Sequence, residues 1–261
     1  MAKYENPKPV IDGNNDLDKR TNDLQDYTIK ESVYFAFIDV LGFKKTFDDM
    51  KTAQDISRID KYRDVFNYYF ELINATRLLN GGTGCYAGQT SDSLYFYTDR
   101  ADYLMSFVRL FTHFNMYAMS KNVFFRGGIA KGLLYKKKDY QFYGDSVINA
   151  YLMENSVSKD PIITIDEQTH IDLSSFSEYS EMEGKRASRY YLKPFALLNK
   201  EINLETSEDF QVRKINNNNI YKQINENCKL FEYDVTNYSK YVFLREEYEK
   251  TLKSVEDDYN D

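Results

Sequence analysis

The sequence predicts an α+β fold built on a ferredoxin-like βαββαβ core with an added C-terminal segment. Two observations carry this. Short apolar runs rich in β-branched and aromatic residues alternate with longer stretches of helical period. Their order over the first two thirds of the chain is β-α-α-β-β-α-β-β-α-β, with no internal repeat. That alternation predicts helices packed on one face of a mostly antiparallel sheet. With 261 residues, 42% hydrophobic and 16% aromatic, the chain can bury a substantial core, as one large domain or one domain plus a smaller appendage.

Residues Met1–Glu31 carry Pro7, Pro9, Gly13 and Asn14-Asn15 with no apolar period, and read as a flexible arm. Ser32–Asp39 (SVYFAFID) reads as a buried strand, left through Val40-Leu41-Gly42-Phe43 into a short helix over Lys44–Met50. Ala53–Leu79 is a helix whose apolar face is Ile59, Tyr62, Phe66, Tyr69 and Ile73, stopped by the glycines of 80–84. Cys85–Thr90 and Ser93–Thr98 form a hairpin around Ser91-Asp92. A second long helix, Ala101–Ser120, presents Leu104, Phe107, Phe111, Phe114 and Ala118. Then follow a glycine-bent strand over Val123–Tyr135, a short strand at Tyr140–Tyr143, a helix over Gly144–Ser158 and a strand over Pro161–Asp166. Beyond Glu167 the pattern weakens: Asp172–Ser188 reads as a polar loop or insertion, Asn216–Asn219 as a polar tract, and Tyr241–Val255 as a terminal helix using Val242, Leu244, Tyr248 and Leu252.

The net charge of -7 argues against general nucleic-acid binding, which needs a basic footprint. Two cysteines, Cys85 and Cys228, exclude a disulfide framework and nearly exclude a cysteine-based zinc site; His113 and His170 are too few and too separated for a histidine-rich metal site. No apolar run approaches the roughly 20 residues that cross a bilayer, and Met1–Lys30 has no signal-peptide core, so a cytoplasmic chain without membrane contact is expected.

Two aspartates stand out. Asp39 ends the first buried strand and Asp92 sits at the hairpin tip. Alone, each reads as a strand-end or turn residue. In a ferredoxin-like sheet, however, the first strand and the central hairpin are neighbours, so the carboxylates can meet at one end. Hard carboxylate oxygens suit Mg²⁺ or Mn²⁺, which take their remaining ligands from phosphate and water. A pair of such ions roughly 4 Å apart can activate an attacking oxygen and stabilise a leaving one. Gly42, Phe43 and Lys44 follow Asp39 at a turn into a helix, a natural anion cradle, although Lys44-Lys45 also reads as a solvated helix end. The glycines of RGGIAKG (126–132) and YGDSV (143–147) read most simply as a bent strand and a turn into a helix.

Together the pieces resemble the class III nucleotidyl cyclase superfamily. FIDVLGF (37–43) looks like its first metal-aspartate motif and QTSDSLYF (89–96) like its hairpin with the second, with Ser91 where glycine is common. RGGIAKG and YGDSVINAYLME look like the strand and the strand-to-helix segment that follow. AYLME, DPIITID and KYVFLREEY (240–248) narrow the resemblance to the bacterial Pycsar pyrimidine cyclases of anti-phage defence.

The resemblance implies the class III cyclase fold and a lyase that makes a 3′,5′-cyclic monophosphate and pyrophosphate from UTP or CTP, read by a separate effector protein. It implies two divalent cations on Asp39 and Asp92 with the Val40 carbonyl helping, Gly42, Phe43 and Lys44 on the triphosphate, and Gln89 and Gln141 on the base. Those amides both donate and accept, which suits a pyrimidine edge, though each also reads as an exposed strand residue. It implies a homodimer with active sites at the interface, and a chain divided into an arm (1–31), a cyclase domain (32–170) and a packed C-terminal extension (171–261). One departure matters. Where purine cyclases carry asparagine and arginine four apart, this chain has Ile148 and Leu152, with Asn149 and Tyr151 beside them. Arg126 or Lys131 is then expected to serve the transition state. The alternatives are a catalytically silent nucleotide-binding homologue and a purine (adenylate or guanylate) cyclase.

Overall fold

A computed structural model describes residues 27–48, 57–79, 85–137, 141–157, 159–198 and 212–258. The expected arm as far as residue 26, the glycine stop at 80–84 and the last three residues lie outside these. The strands are β1 (Tyr27–Val40), β2 (Cys85–Thr90), β3 (Ser93–Thr98), β4 (Phe125–Lys137), β5 (Phe142–Tyr143), β6 (Ile163–Ile165), β7 (Glu183–Arg186) and β8 (Arg189–Leu192). The helices are α1 (Phe43–Asp48), α2 (Ser57–Leu79), α3 (Leu104–Ser120), α4 (Asp145–Leu152), α5 (Glu167–Leu173), α6 (Tyr179–Met182), α7 (Asn217–Leu230) and α8 (Val235–Asp258).

The sheet runs β2-β3-β1-β4-β6-β8-β7, with β5 pairing only β4. Every pairing is antiparallel except β4 with β6, so the fold is α+β on a mixed sheet. Its first four strands have the order β2-β3-β1-β4 expected of the ferredoxin-like core.

Alternation along β1 builds two layers. Tyr34, Ala36, Ile38 and Val40 enter the main core with Tyr62, Phe66, Tyr69 and Ile73 of α2 and Phe107, Phe111 and Phe114 of α3. Val33 and Phe35 point the other way, with Ala130, Leu134 and Ala150. Helices therefore cover both faces, not one as the sequence suggested. The reason is a trench of small residues in β4. A Cβ on Gly128 would stand 2.5 Å from Met153 Cβ and 2.6 Å from the Ala150 carbonyl, so only glycine lets α4 lie this close. Gly144, at φ +128°, turns the chain into that helix.

A second core lies behind α3. Met116 and Met119 pack against Ile220, Ile224 and Cys228 of α7 and Tyr241, Leu244 and Tyr248 of α8. This explains why α3 is buried almost all round. The Arg213 guanidinium ties the approach to α7 onto the core, bonding Asp64 (2.9 Å), Tyr117 (2.7 Å) and Glu71 (2.9 Å).

Three expectations need correction. β1 begins at Tyr27, five residues inside the expected arm. Asp172–Ser188 is not a loop. It holds the end of α5, α6 and strand β7, anchored by buried Leu173, Tyr179 and Met182. Asn216–Asn219 starts a helix, because the Asn216 side chain accepts from the Asn219 N–H at 3.1 Å and caps α7. Among the described residues no helix is long and apolar enough to cross a membrane.

Candidate active site

Asp39 is placed by register. On β1 it continues the series facing α4, and it pairs with Ser93 of β3 on one side and Arg126 of β4 on the other. Ser93 Oγ donates to Asp39 Oδ1 at 3.0 Å, and Arg126 Nη2 stands 3.8 Å from Asp39 Oδ2. Asp92 immediately precedes Ser93 at the hairpin tip, and its negative charge acts on Asp39. Burial first, and then Asp92, push the Asp39 carboxyl above the usual range, against the lowering pull of Ser93, Arg126 and the Val40 N–H. Ser91 adopts φ +56°, the left-handed conformation that explains why glycine suits this turn.

Arg126 is also gripped from below. Its Nε lies 2.7 Å from Glu154 Oε1. That contact is an ion pair and not an aligned hydrogen bond. Glu154 is 4% exposed and sits in the π-helical turn Met153–Val157 that follows α4. Burial raises its carboxyl above the usual range, Arg126 lowers it, and Asp39 and Asp92 raise it further. Three acids thus share one field with one arginine. Sequence reasoning missed Glu154 and Ser93, although both lie inside the quoted runs YGDSVINAYLME and QTSDSLYF.

Beyond β1 the chain bends at Gly42, φ +75°, and α1 begins at Phe43. The Leu41 N–H donates to the Phe124 carbonyl at 2.8 Å, and Phe43 packs edge-on to Tyr62 at 5.1 Å. Gly42 and Lys44 are exposed beside this turn. A cavity of about 840 Å³ opens behind it, lined by Gly42, Tyr62, Phe124 and Tyr241 among others, and neither acid lies on its wall.

Gln141 is not brought to these acids, and Gln89 is beside Asp92 on the hairpin but faces away from Asp39. Gln89 is exposed on edge strand β2, in register with Leu94 of the main core, and its amide donates to the Ser91 carbonyl at 2.7 Å. It leaves the sheet on the face opposite Asp39. Gln141 accepts from Tyr143 Oη at 3.1 Å, and its carbonyl bonds the Lys137 N–H at the far end of β4. At about 3.3 Å per residue that end lies roughly 35 Å from Arg126. Lys131 is elsewhere too: it pairs with Asp172 at 2.7 Å on the other face. Ile148 and Leu152 stand exposed on α4, at 55% and 48%.

Among the described residues no group of three or more His, Cys, Asp or Glu side chains is arranged to hold a metal ion. The donor set still fits a hard divalent cation. Asp39 and Asp92 would offer it carboxylate oxygens, and the repulsion Asp39 feels from Asp92 is only partly offset by Arg126. Such ions need few protein ligands when phosphate and water supply the rest.

No protein-family model matches the sequence, and no curated protein matches it either. Solved structures do. The chain is similar to the monomeric guanylyl cyclase domain of the RhoGC fusion protein from the aquatic fungus Blastocladiella emersonii, at 17% identity and TM-score 0.45, covering 64% of this chain and 97% of that one. It is similar to a bacterial light-regulated adenylyl cyclase at 10% identity and TM-score 0.46, over 79% and 68% of the two chains. It is similar to an adenylate cyclase of Trypanosoma brucei in its monomeric state at 12% identity and TM-score 0.45, over 69% and 96%.

Proposed function

We propose that the chain is a pyrimidine nucleotide cyclase, converting UTP or CTP to the 3′,5′-cyclic monophosphate and pyrophosphate. In this reading it is the signal-producing enzyme of an anti-phage system, and a separate effector reads its product. The supporting observation is the shared electrostatic field of Asp39 and Asp92 at one end of the sheet, with Ser93 and Arg126 fixing Asp39. The substrate class and defence role rest on the sequence motifs.

In the reaction the ribose 3′-hydroxyl gives its proton to water and its oxygen attacks the α-phosphorus. The bond from that phosphorus to the bridging oxygen breaks, and pyrophosphate leaves. Mg²⁺ or Mn²⁺ held by Asp39 and Asp92, with the Val40 carbonyl, would supply Lewis acidity at the attacking and leaving oxygens. Arg126 stabilises charge that grows on the phosphates. The exposed turn at Gly42, Phe43 and Lys44 receives the triphosphate tail. Gln141 lies too far from its own chain's acids to read the same substrate's base, which supports a homodimer in which each chain completes its partner's site.

A second reading has its own observation. Ile148 and Leu152 are apolar and exposed where purine cyclases use asparagine and arginine, which favours a silent nucleotide-binding protein. Competition among all four triphosphates with Mn²⁺, products separated by mass, decides between them. The cyclase reading expects one dominant cyclic pyrimidine product. A cyclic purine as the main product, or nucleotide binding without any cyclic product, contradicts it.

A further inference from the structure

The guanidinium beside Asp39 is held more closely by a second acid. Arg126 lies 2.7 Å from Glu154 but 3.8 Å from Asp39, so its main tether is the buried glutamate below. Glu154 is fixed there by local architecture. The π-helical turn Met153–Val157 redirects side chains relative to α4, and Gly128 lets that turn press against β4. Arg126 further faces the positive charge of Lys240 on α8, which disfavours a shift in that direction. We infer that Glu154 is a positioning residue: through Arg126 it parks a guanidinium beside the Asp39–Asp92 pair as a built-in counter-cation, which a divalent ion displaces while the arginine stays tethered.

This rests on the metal-binding reading of Asp39 and Asp92 and adds how the empty acid pair is neutralised. Without the glutamate's charge, Arg126 is free to move fully onto the aspartates and compete with the incoming ion. Without Arg126, the glutamate has nothing to position.

The test is Mn²⁺ binding to the full chain, read by the loss of the free-ion electron paramagnetic resonance signal. Wild type, Glu154→Gln, Arg126→Gln, the double variant and Asp39→Ala are compared. Glu154→Gln is expected to weaken binding by about tenfold, a usual scale for residues that orient a metal site. Arg126→Gln is expected to tighten it, and the Glu154→Gln loss to vanish in the Arg126→Gln background. If that loss persists without Arg126, Glu154 acts through its own charge and the inference fails. If wild type binds Mn²⁺ through Asp39 but Glu154→Gln binds equally well, this inference alone fails. If binding does not depend on Asp39 at all, the metal reading falls and takes the inference with it. A second readout needs no variant at position 154: the Arg126 Nε–H resonance, assigned with Arg126→Gln, should remain protected when wild type is saturated with Mg²⁺. Its collapse to solvent-like exchange on adding Mg²⁺ would show the tether broken and overturn the proposal.

Discussion

Strand β4 carries two cations that each meet an aspartate, one on each face of the sheet, and the pairs differ in kind. Lys131 lies 2.7 Å from Asp172, and the same carboxylate accepts from Tyr34 Oη at 2.8 Å. Burial opposes ionisation there, but Lys131 and Tyr34 outweigh it and hold the Asp172 carboxyl below the usual range. Arg126 stands farther from Asp39, and burial with the nearby charge of Asp92 leaves that carboxyl above the usual range. The first pair is a satisfied lock that fixes α5 on the sheet. The second is an under-compensated acid whose charge calls for a cation. An ion pair alone therefore does not mark a functional site; these two pairs differ in the direction in which the acid is perturbed, a difference that makes Asp39 the candidate.

Exchanging the acids one at a time gives the largest contrast. Asp39→Asn is expected to reduce turnover about a thousandfold or more, the scale of losing a key transition-state charge contact, while relieving repulsion so that the thermal midpoint holds or rises. Asp172→Asn is expected to leave turnover intact and cost about 1 kcal/mol in urea unfolding. The same outcome for both variants would erase the distinction.

A buried group with no counter-charge extends the contrast. The Arg213 backbone N–H donates to Tyr68 Oη, which is hydrogen-bonded to His113 Nε2 at 2.6 Å. Burial pushes the His113 imidazole down to about 4. Because the folded state resists the proton, the stability is fully present above about 6.5 and is lost as pH falls towards 4, amounting to about 3 kcal/mol. Urea unfolding across that range should show this slope, and His113→Gln should flatten it.

Gly128→Ala sharpens the comparison from the α4 side. Its Cβ would clash with Met153 and the Ala150 carbonyl, costing about 2 kcal/mol by overpacking, and it should disturb Glu154 and turnover together. Ser91→Gly is the smallest step. Relief of the positive φ is expected to raise stability by about 0.5 kcal/mol with activity retained.

The sequence made the long elements legible because their apolar periods run far enough to declare a face. Tyr62, Phe66, Tyr69 and Ile73 of α2 and Phe107, Phe111 and Phe114 of α3 are all buried as their spacing implies. The elements after residue 167 escaped because each is short and held by distant partners. α5 is fixed through Asp172 to Tyr34 and Lys131, and the Lys193 N–H bonds the Met182 carbonyl at 2.8 Å. In the candidate site, the proximity of Asp39 to the hairpin of Asp92 was legible because neighbouring strands bring a strand end and a hairpin tip together. Glu154 was not, since its direction depends on a π-helical turn that leaves no mark in residue spacing. Gln89 and Gln141 are exposed, and the strand expected over Val123–Tyr135 already had the 13-residue length of β4 that separates Gln141 from the acids.

The most direct test is a crystal structure of the chain with Mn²⁺ and a non-hydrolysable pyrimidine triphosphate, using manganese anomalous scattering. Anomalous density is expected between the Asp39 and Asp92 carboxylates, with the triphosphate reaching the turn at Gly42. Ordered triphosphate with manganese bound away from both aspartates would contradict that expectation.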